Sequence, residues 1–154
     1  MSNSNKSTLE IKLSISVTKG NSNNTDNYEF SELSQKLTKQ ISKEDKKSDG
    51  IFFTPPETVI KMIKMLKSYK IDIKQILEPS CGSCEFINRL VKDFPDSKIT
   101  GIEYNNVIFD SIKDKFKVYK NVELVQKDYI TYKEPNKYDL IIGNPPFYVM
   151  KKGD

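Results

Sequence analysis

From Gly50 onward the sequence predicts an α/β fold built on a parallel sheet, and three observations carry that prediction. Apolar residues switch repeatedly between helical and strand-like spacing, the pattern of strands joined by crossover helices. The first strand-like run passes through a short turn with one glycine, Gly82, directly into a helix-like run. Polar residues stand after four successive strands, at the carboxyl ends where an open parallel sheet holds its ligands.

The elements follow in order. Thr54-Pro55-Pro56-Glu57 has the layout of a capping box, with Thr54 as N-cap, proline in the first turn and Glu57 at the third helical position. Val59, Ile60, Ile63 and Leu66 then repeat at helical spacing, so a helix should run to about Tyr69. Gln75-Ile76-Leu77 reads as a strand, and Phe86, Ile87, Leu90, Val91 and Phe94 mark the next helix. The second strand is expected at 98–102. Val107, Ile108, Ile112 and Phe116 support a third helix, and further strands are expected at 122–125 and 138–142.

The last crossover, 128–137, contains Pro135 and is too short for a substantial helix. In the order 3-2-1-4 it must span three strand spacings and return one strand length, roughly 22 Å in all. Ten extended residues reach about 30 Å, so an extended loop suffices. The result is a partial Rossmann-like sheet of four strands in the order 3-2-1-4.

Composition narrows the chemistry. The 154 residues include no histidine, which removes Ser-His-Asp, Cys-His and His-ligated metal schemes from this chain. The two cysteines form Cys81-Gly82-Ser83-Cys84, a spacing compatible with a redox pair but short of a four-ligand zinc site, so no metal is expected. A net charge of +4 neither demands nor excludes a nucleic-acid partner. No apolar stretch approaches the roughly 20 residues that span a bilayer, and Met1-Ser2-Asn3-Ser4-Asn5-Lys6 lacks the apolar core of a signal peptide. An intracellular, cytoplasmic protein without a membrane partner is the expectation.

Residues 1–49 read as a polar extension before a domain at 50–154. Leu9, Ile11, Leu13, Ile15 and Val17 alternate as in a half-buried strand, whereas Phe30, Leu33, Leu37 and Ile41 follow helical spacing. The stretch 42–50 is almost wholly polar and reads as a solvated linker.

The strand ends carry the chemistry. A single-glycine turn replaces the G-x-G-x-x-G that lets a backbone approach pyrophosphate, which points to a cofactor without phosphates. Glu103, after the second strand, can accept both hydroxyls of a ribose, and Asp128, after the third, can accept from an adenine amino group. A nucleoside without phosphate suggests S-adenosylmethionine. After the fourth strand, the side-chain carbonyl of Asn144 and the backbone carbonyl of Pro145 can together accept two hydrogen bonds from one exocyclic amino group. Pro146 stiffens that segment, and the Phe147 ring can cover the face of a base.

Phe52-Phe53-Thr54-Pro55-Pro56, Leu77-Glu78-Pro79-Ser80-Cys81-Gly82, Gly101-Ile102-Glu103, Lys127-Asp128-Tyr129 and the run from Asp139 to Phe147 resemble the ordered motifs of TaqI-like N6-adenine DNA methyltransferases. The resemblance covers Gly50 to about Tyr148. It implies a class I methyltransferase fold, with Phe53 and Thr54 near the methionine carboxylate of the cofactor and Glu78, Ser80 and Gly82 around its methionine. It also implies Glu103 on the ribose, Tyr104 beside the adenine, and Asp128 with Tyr129 at the adenine ring. Asn144, Pro145, Pro146 and Phe147 would serve an adenine in DNA.

Enzymes that modify glutamine, guanine or RNA adenine carry a similar Asn-Pro-Pro-Phe motif, and the upstream Phe-Thr-Pro-Pro is what favours DNA. A protein-glutamine or RNA methyltransferase, and a non-catalytic cofactor-binding module, are the other readings. Seven residues follow Phe147, whereas the family implies further strands and a target-recognition region. The expectation is therefore part of an enzyme, with a second polypeptide as a partner for the open fourth strand, and with weak stability or self-association of the isolated chain.

Overall fold

The computed structural model describes residues 29–48, 50–133 and 137–146. Helices α1 (Glu32–Gln40), α2 (Lys43–Ser48) and α3 (Pro56–Ser68) precede the first strand, β1 (Gln75–Glu78). There follow α4 (Glu85–Asp93), β2 (Lys98–Glu103), α5 (Asn106–Ile112), β3 (Val122–Gln126) and β4 (Leu140–Ile141). The strands pair in parallel in the order β3-β2-β1-β4, as the sequence predicts.

Central β1 carries two adjacent apolar residues, Ile76 and Leu77, because both of its faces are covered. Successive side chains on a strand point to opposite faces. Ile76 packs with Val59, Ile63 and Leu66 of α3 and with Phe86, Ile87 and Leu90 of α4. Leu77 joins Ile102 and Tyr138 in a smaller cluster, flanked by the partly buried Val125, Tyr132 and Ile141. Among the described residues no helix enters this second cluster, and Tyr132 and Tyr138 from the last crossover supply the cover.

Close approach of α4 to the sheet depends on Gly101, opposite Glu78 in the β1–β2 register. A Cβ there would stand 2.5 Å from Ile87 Cδ1 and 2.9 Å from Leu124 Cδ2. The entry of β4 is pinned by Asp139, whose Oδ2 accepts the backbone N–H groups of both Lys74 and Gln75 at 2.9 Å.

Several boundaries depart from the expected ones. The N-cap of α3 is Pro55 rather than Thr54, with no side-chain capping bond, which makes Glu57 the second helical residue. The prolines supply the helix-ready φ that a capping hydroxyl would otherwise help to set. The expected linker contains α2, whose described side chains stay largely exposed; acids in its first turn and lysines in its last complement the helix dipole. Strand β4 is two residues long rather than five. Before it Asp139 bonds through its side chain, and after it the Ile142 N–H reaches Leu77 O at 2.9 Å before two prolines with no N–H end the ladder. The alternating segment at 9–17 and Phe147 lie outside the described residues.

Gly101→Val should lower the urea midpoint, with a loss of about 1–3 kcal/mol from overpacking between α4 and β3. An unchanged midpoint would show that Ile87 and Leu124 have room to move aside.

Candidate functional site

The ends of the four strands bring most of the expected residues to one edge of the sheet. Glu78 closes β1 and Glu103 closes β2, while Asp128 lies just past β3 and Asn144 just past β4. The β1–α4 turn between them is sharply folded. Gly82 has φ +52° and Cys84, the N-cap of α4, has φ +65°, a left-handed conformation unusual for a residue with a side chain. The Phe53 ring lies against this turn, since a Cβ on Gly82 would meet Phe53 Cδ1 at 3.5 Å.

Glu103 holds two turns together. Its Oε2 accepts the Gly82 N–H at 2.8 Å and its Oε1 accepts the Asn105 N–H at 2.7 Å. Asn105 in turn caps α5 through the N–H groups of Val107 and Ile108. Each carboxylate oxygen has two acceptor positions, so Glu103 keeps capacity for ligand hydroxyls. Burial raises its pKa, with the backbone N–H groups of Asn105, Gly82 and Tyr104 working in the opposite direction.

Glu78 is 2% exposed. Burial pushes its pKa well above 4.5, nearby Cys81, Glu103 and Glu85 add to the rise, and the Ile87 N–H opposes it. Among the described residues, neither Glu78 Oε2 nor the Ser80 hydroxyl has a hydrogen-bond partner, although both atoms are buried. Unpartnered buried polar atoms cost about 1–3 kcal/mol each, so two in one turn fit a place where a ligand supplies the missing contacts.

The β4 end packs directly on this turn. A Cβ on Gly143 would stand 3.3 Å from Pro79 Cδ and 3.5 Å from Glu78 Cγ. Asn144 follows, half-buried, and Pro145 and Pro146 are exposed. Tyr104, 74% exposed, and Tyr129, 42% exposed, present their rings to solvent beyond β2 and β3. Asp128 is partly committed, because its Oδ1 accepts the Ile130 N–H at 2.9 Å. Thr54 is half-buried just before α3. A cleft of about 520 Å³ opens beside it between α1 and the 51–55 segment, with Phe53 in its wall.

These groups fit S-adenosylmethionine. Its ammonium and sulfonium cations suit a turn flanked by the buried carboxyls of Glu78 and Glu103, its ribose hydroxyls suit Glu103, and its adenine suits an exposed ring such as that of Tyr104. The C-x-x-C spacing has a different outcome. Both thiols are free and buried. Cys81 is raised well above the ordinary thiol range by its contact with Cys84 and by burial, and burial raises Cys84, so neither is poised as a thiolate. Among the described residues no group of three or more acids or cysteines could hold a metal ion, and no helix is long and apolar enough to cross a membrane.

The family model of the methyltransferase small domain matches residues 59–154. The chain belongs to this methyltransferase family. It is 34% identical over 126 residues to the modification methylase CviBIII of Paramecium bursaria Chlorella virus NC1A, a match covering 81% of this chain and 33% of the relative. It is 33% identical over 124 residues to the type II methyltransferase M.CvrRI of Paramecium bursaria Chlorella virus XZ-6E, covering 80% and 31%. The chain thus spans about a third of the length of these relatives. Among solved structures, the S-adenosylhomocysteine-bound methyltransferase PaMTH1 of Podospora anserina superposes with a TM-score of 0.52 at 20% identity, covering 73% of this chain and 49% of that one. This likeness confirms the Rossmann-like class I fold.

The sequence reading missed Ser34, Ser83 and Glu85, which form a buried polar group behind the turn, and Asn105. The signal was faint: a serine three residues before Leu37, on the buried side of an otherwise amphipathic helix.

Because the folded-state pKa of Glu78 lies above its unfolded value, the folded state binds more protons than the unfolded one between the two. Its contribution to stability is complete below about pH 4.5 and is lost as pH rises through the raised value; Glu103 acts with the same sign. The ligand-free urea midpoint should therefore fall as pH rises from weakly acid to neutral, and Glu78→Gln should flatten that slope. Equal slopes in the two proteins would refute the assignment.

Proposed function

We propose that this methyltransferase domain transfers a methyl group from S-adenosylmethionine to the exocyclic N6 amino group of adenine in DNA. The observation that carries the reading is the packing of Gly143 on Pro79 and Glu78, which sets an Asn-Pro-Pro acceptor segment directly beside the turn suited to the cofactor. The names of the relatives, a modification methylase and a type II methyltransferase, support methyl transfer as the reaction.

Bound S-adenosylmethionine supplies an electrophilic methyl group on a sulfonium. The chain's own residues have two tasks, holding that group and improving a poor nucleophile. Phe53 and Thr54 lie towards the methionine end, Glu78, Ser80 and Gly82 surround the methionine, Glu103 holds the ribose, and Tyr104, Asp128 and Tyr129 border the adenine. The lone pair of an adenine amino group is delocalised into the ring, and transfer requires the nitrogen to become tetrahedral as positive charge grows on it. Asn144 Oδ1 and the Pro145 carbonyl accept its two N–H bonds and become better partners as that charge develops. Pro146 restricts the backbone that aims them. Phe147 stacks on the extruded base. No base needs to remove a proton before transfer, because both acceptors act on the neutral amino group; the positive charge left on the methylated nitrogen is discharged afterwards by loss of one of its two protons to water.

The test is transfer of radiolabelled methyl groups to separate DNA, RNA and protein pools. Label in DNA, recovered as N6-methyladenine, is the expected result; label confined to RNA or protein would overturn the substrate. In a preparation that methylates DNA, Asn144→Ala should slow single-turnover methylation by about 10²–10³-fold, the loss seen on removing one oxyanion-hole donor. An unchanged single-turnover rate would remove Asn144 from the catalytic role.

A further inference from the structure

The region before the family match contributes a structure that the transfer reaction, as described above, does not use. The N-terminus of α1 meets the cofactor turn through buried polar groups. Ser34 is 0% exposed, Ser83 is 2% exposed and Glu85 is 9% exposed. The Ser34 hydroxyl meets Glu85 Oε1, Ser83 Oγ at 2.7 Å and Ser31 Oγ at 3.0 Å. One proton and two lone pairs are the whole capacity of a hydroxyl, so these three contacts saturate it. Glu85 Oε1 also accepts the Ser31 N–H at 3.0 Å.

The partners of Ser34 bracket the left-handed residue of the turn. Ser83 precedes Cys84 and Glu85 follows it. A left-handed conformation costs a residue with a Cβ about 1–2 kcal/mol, so it persists only where its surroundings enforce it. No side chain caps α4 at Cys84. Within the turn the Cys84 N–H bonds Cys81 O at 2.7 Å, and support from outside comes from Glu103 on the Gly82 N–H on one side and α1 on Ser83 and Glu85 on the other. Helix α1 is itself anchored by Leu37 and Ile41 against Ile108, with Phe53 packed on the same group. It therefore touches both the turn and the aromatic ring that lies over Gly82.

We propose that Ser34 is a positioning residue for the cofactor turn, so that α1 works as part of the cofactor site although it lies before the matched domain. Ser34 touches neither cofactor nor substrate in this scheme; it holds Ser83 and Glu85 so that the turn keeps the shape in which Glu78, Ser80 and Gly82 face the ligand. The ligand side of the proposal rests on the S-adenosylmethionine reading, whereas the conformational side does not.

The experiment uses the full chain and two measurements. The first is native-state labelling of Cys81 and Cys84 with a thiol reagent at low urea. These are the only cysteines, both are buried, and they label only when the turn opens. Ser34→Ala and Ser83→Ala should each raise the labelling rate by about tenfold through local opening, as expected when a buried partner is lost. Ile112→Val, in the core on α5, serves as a destabilised control that leaves the network intact and should leave low-urea labelling unchanged. The second measurement is the dissociation constant for S-adenosylhomocysteine, which should rise several-fold in the two serine variants and stay constant in the control. Unchanged labelling in Ser34→Ala and Ser83→Ala, or equal acceleration in Ile112→Val, overturns the proposal. Faster labelling with a wild-type chain that binds no S-adenosylhomocysteine supports the positioning role and overturns the cofactor reading instead. Faster labelling with unaltered affinity overturns the link between α1 and the ligand.

Discussion

The site depends on one carboxylate that bonds two backbones at once. Glu103 ends β2 and takes the Gly82 N–H from the turn after β1 and the Asn105 N–H from the start of the next connection. That bridge joins the two turns directly, above the strands beneath them. With it, the β1–α4 turn is fixed from the side on which a nucleoside would lie. The sheet makes the bridge possible: Gly101 lets α4 lie close against β2, and the Cys81 N–H bonds Ile102 O at 2.8 Å, extending the register of β1 and β2 into the turn.

The turn concentrates unfavourable terms. It contains a left-handed cysteine, a buried carboxyl oxygen and a buried hydroxyl without partners, and three acids close enough for Glu103 and Glu85 to raise Glu78. Each would be a defect in a structural loop. Together they describe a surface shaped for something that brings positive charge and hydrogen-bonding groups. A cationic ligand would let Glu78 ionise at lower cost than burial alone imposes, so binding and deprotonation are coupled by linkage. Sites that must respond to a ligand hold local conflict of this kind, compensated by well-packed elements elsewhere.

Much of the sheet was legible because its evidence is periodic. Ile76-Leu77, Ile99 to Ile102 and Val122 to Val125 are short, mainly apolar segments bounded by polar turns, fully buried in β1 and β2 and only partly buried in edge strand β3. The placement of Glu78, Glu103 and Asn144 at strand ends was legible for the related reason that strand ends are where open sheets present polar groups. What was not legible depended on partners far away in sequence. Only its helical spacing from Leu37 hints locally that Ser34 is buried, because its partners Ser83 and Glu85 lie 49 and 51 residues on. The α2 segment looked like a linker because a short, exposed, charged helix has no apolar stripe. The α3 cap was misplaced by one residue because adjacent prolines can start a helix without the threonine's hydroxyl.

The packing of Gly143 on Pro79 bears on how a cofactor site and an acceptor site are kept in step. Methyl transfer is sensitive to the alignment of nucleophile, methyl and leaving group, and an orienting scaffold contributes most when the groups on both sides belong to one rigid body. Here β1 and β4 are adjacent and paired, Asp139 locks their entries together, and the absence of a side chain at Gly143 lets their exits touch. Asn144 therefore follows a strand paired directly with the one that ends in Glu78. Two prolines then remove backbone freedom from the segment carrying the carbonyls proposed as acceptors. On this view, the shortness of β4 is part of the site's construction: the ladder ends early so that backbone carbonyls beyond it remain available to a substrate instead of being consumed by the sheet.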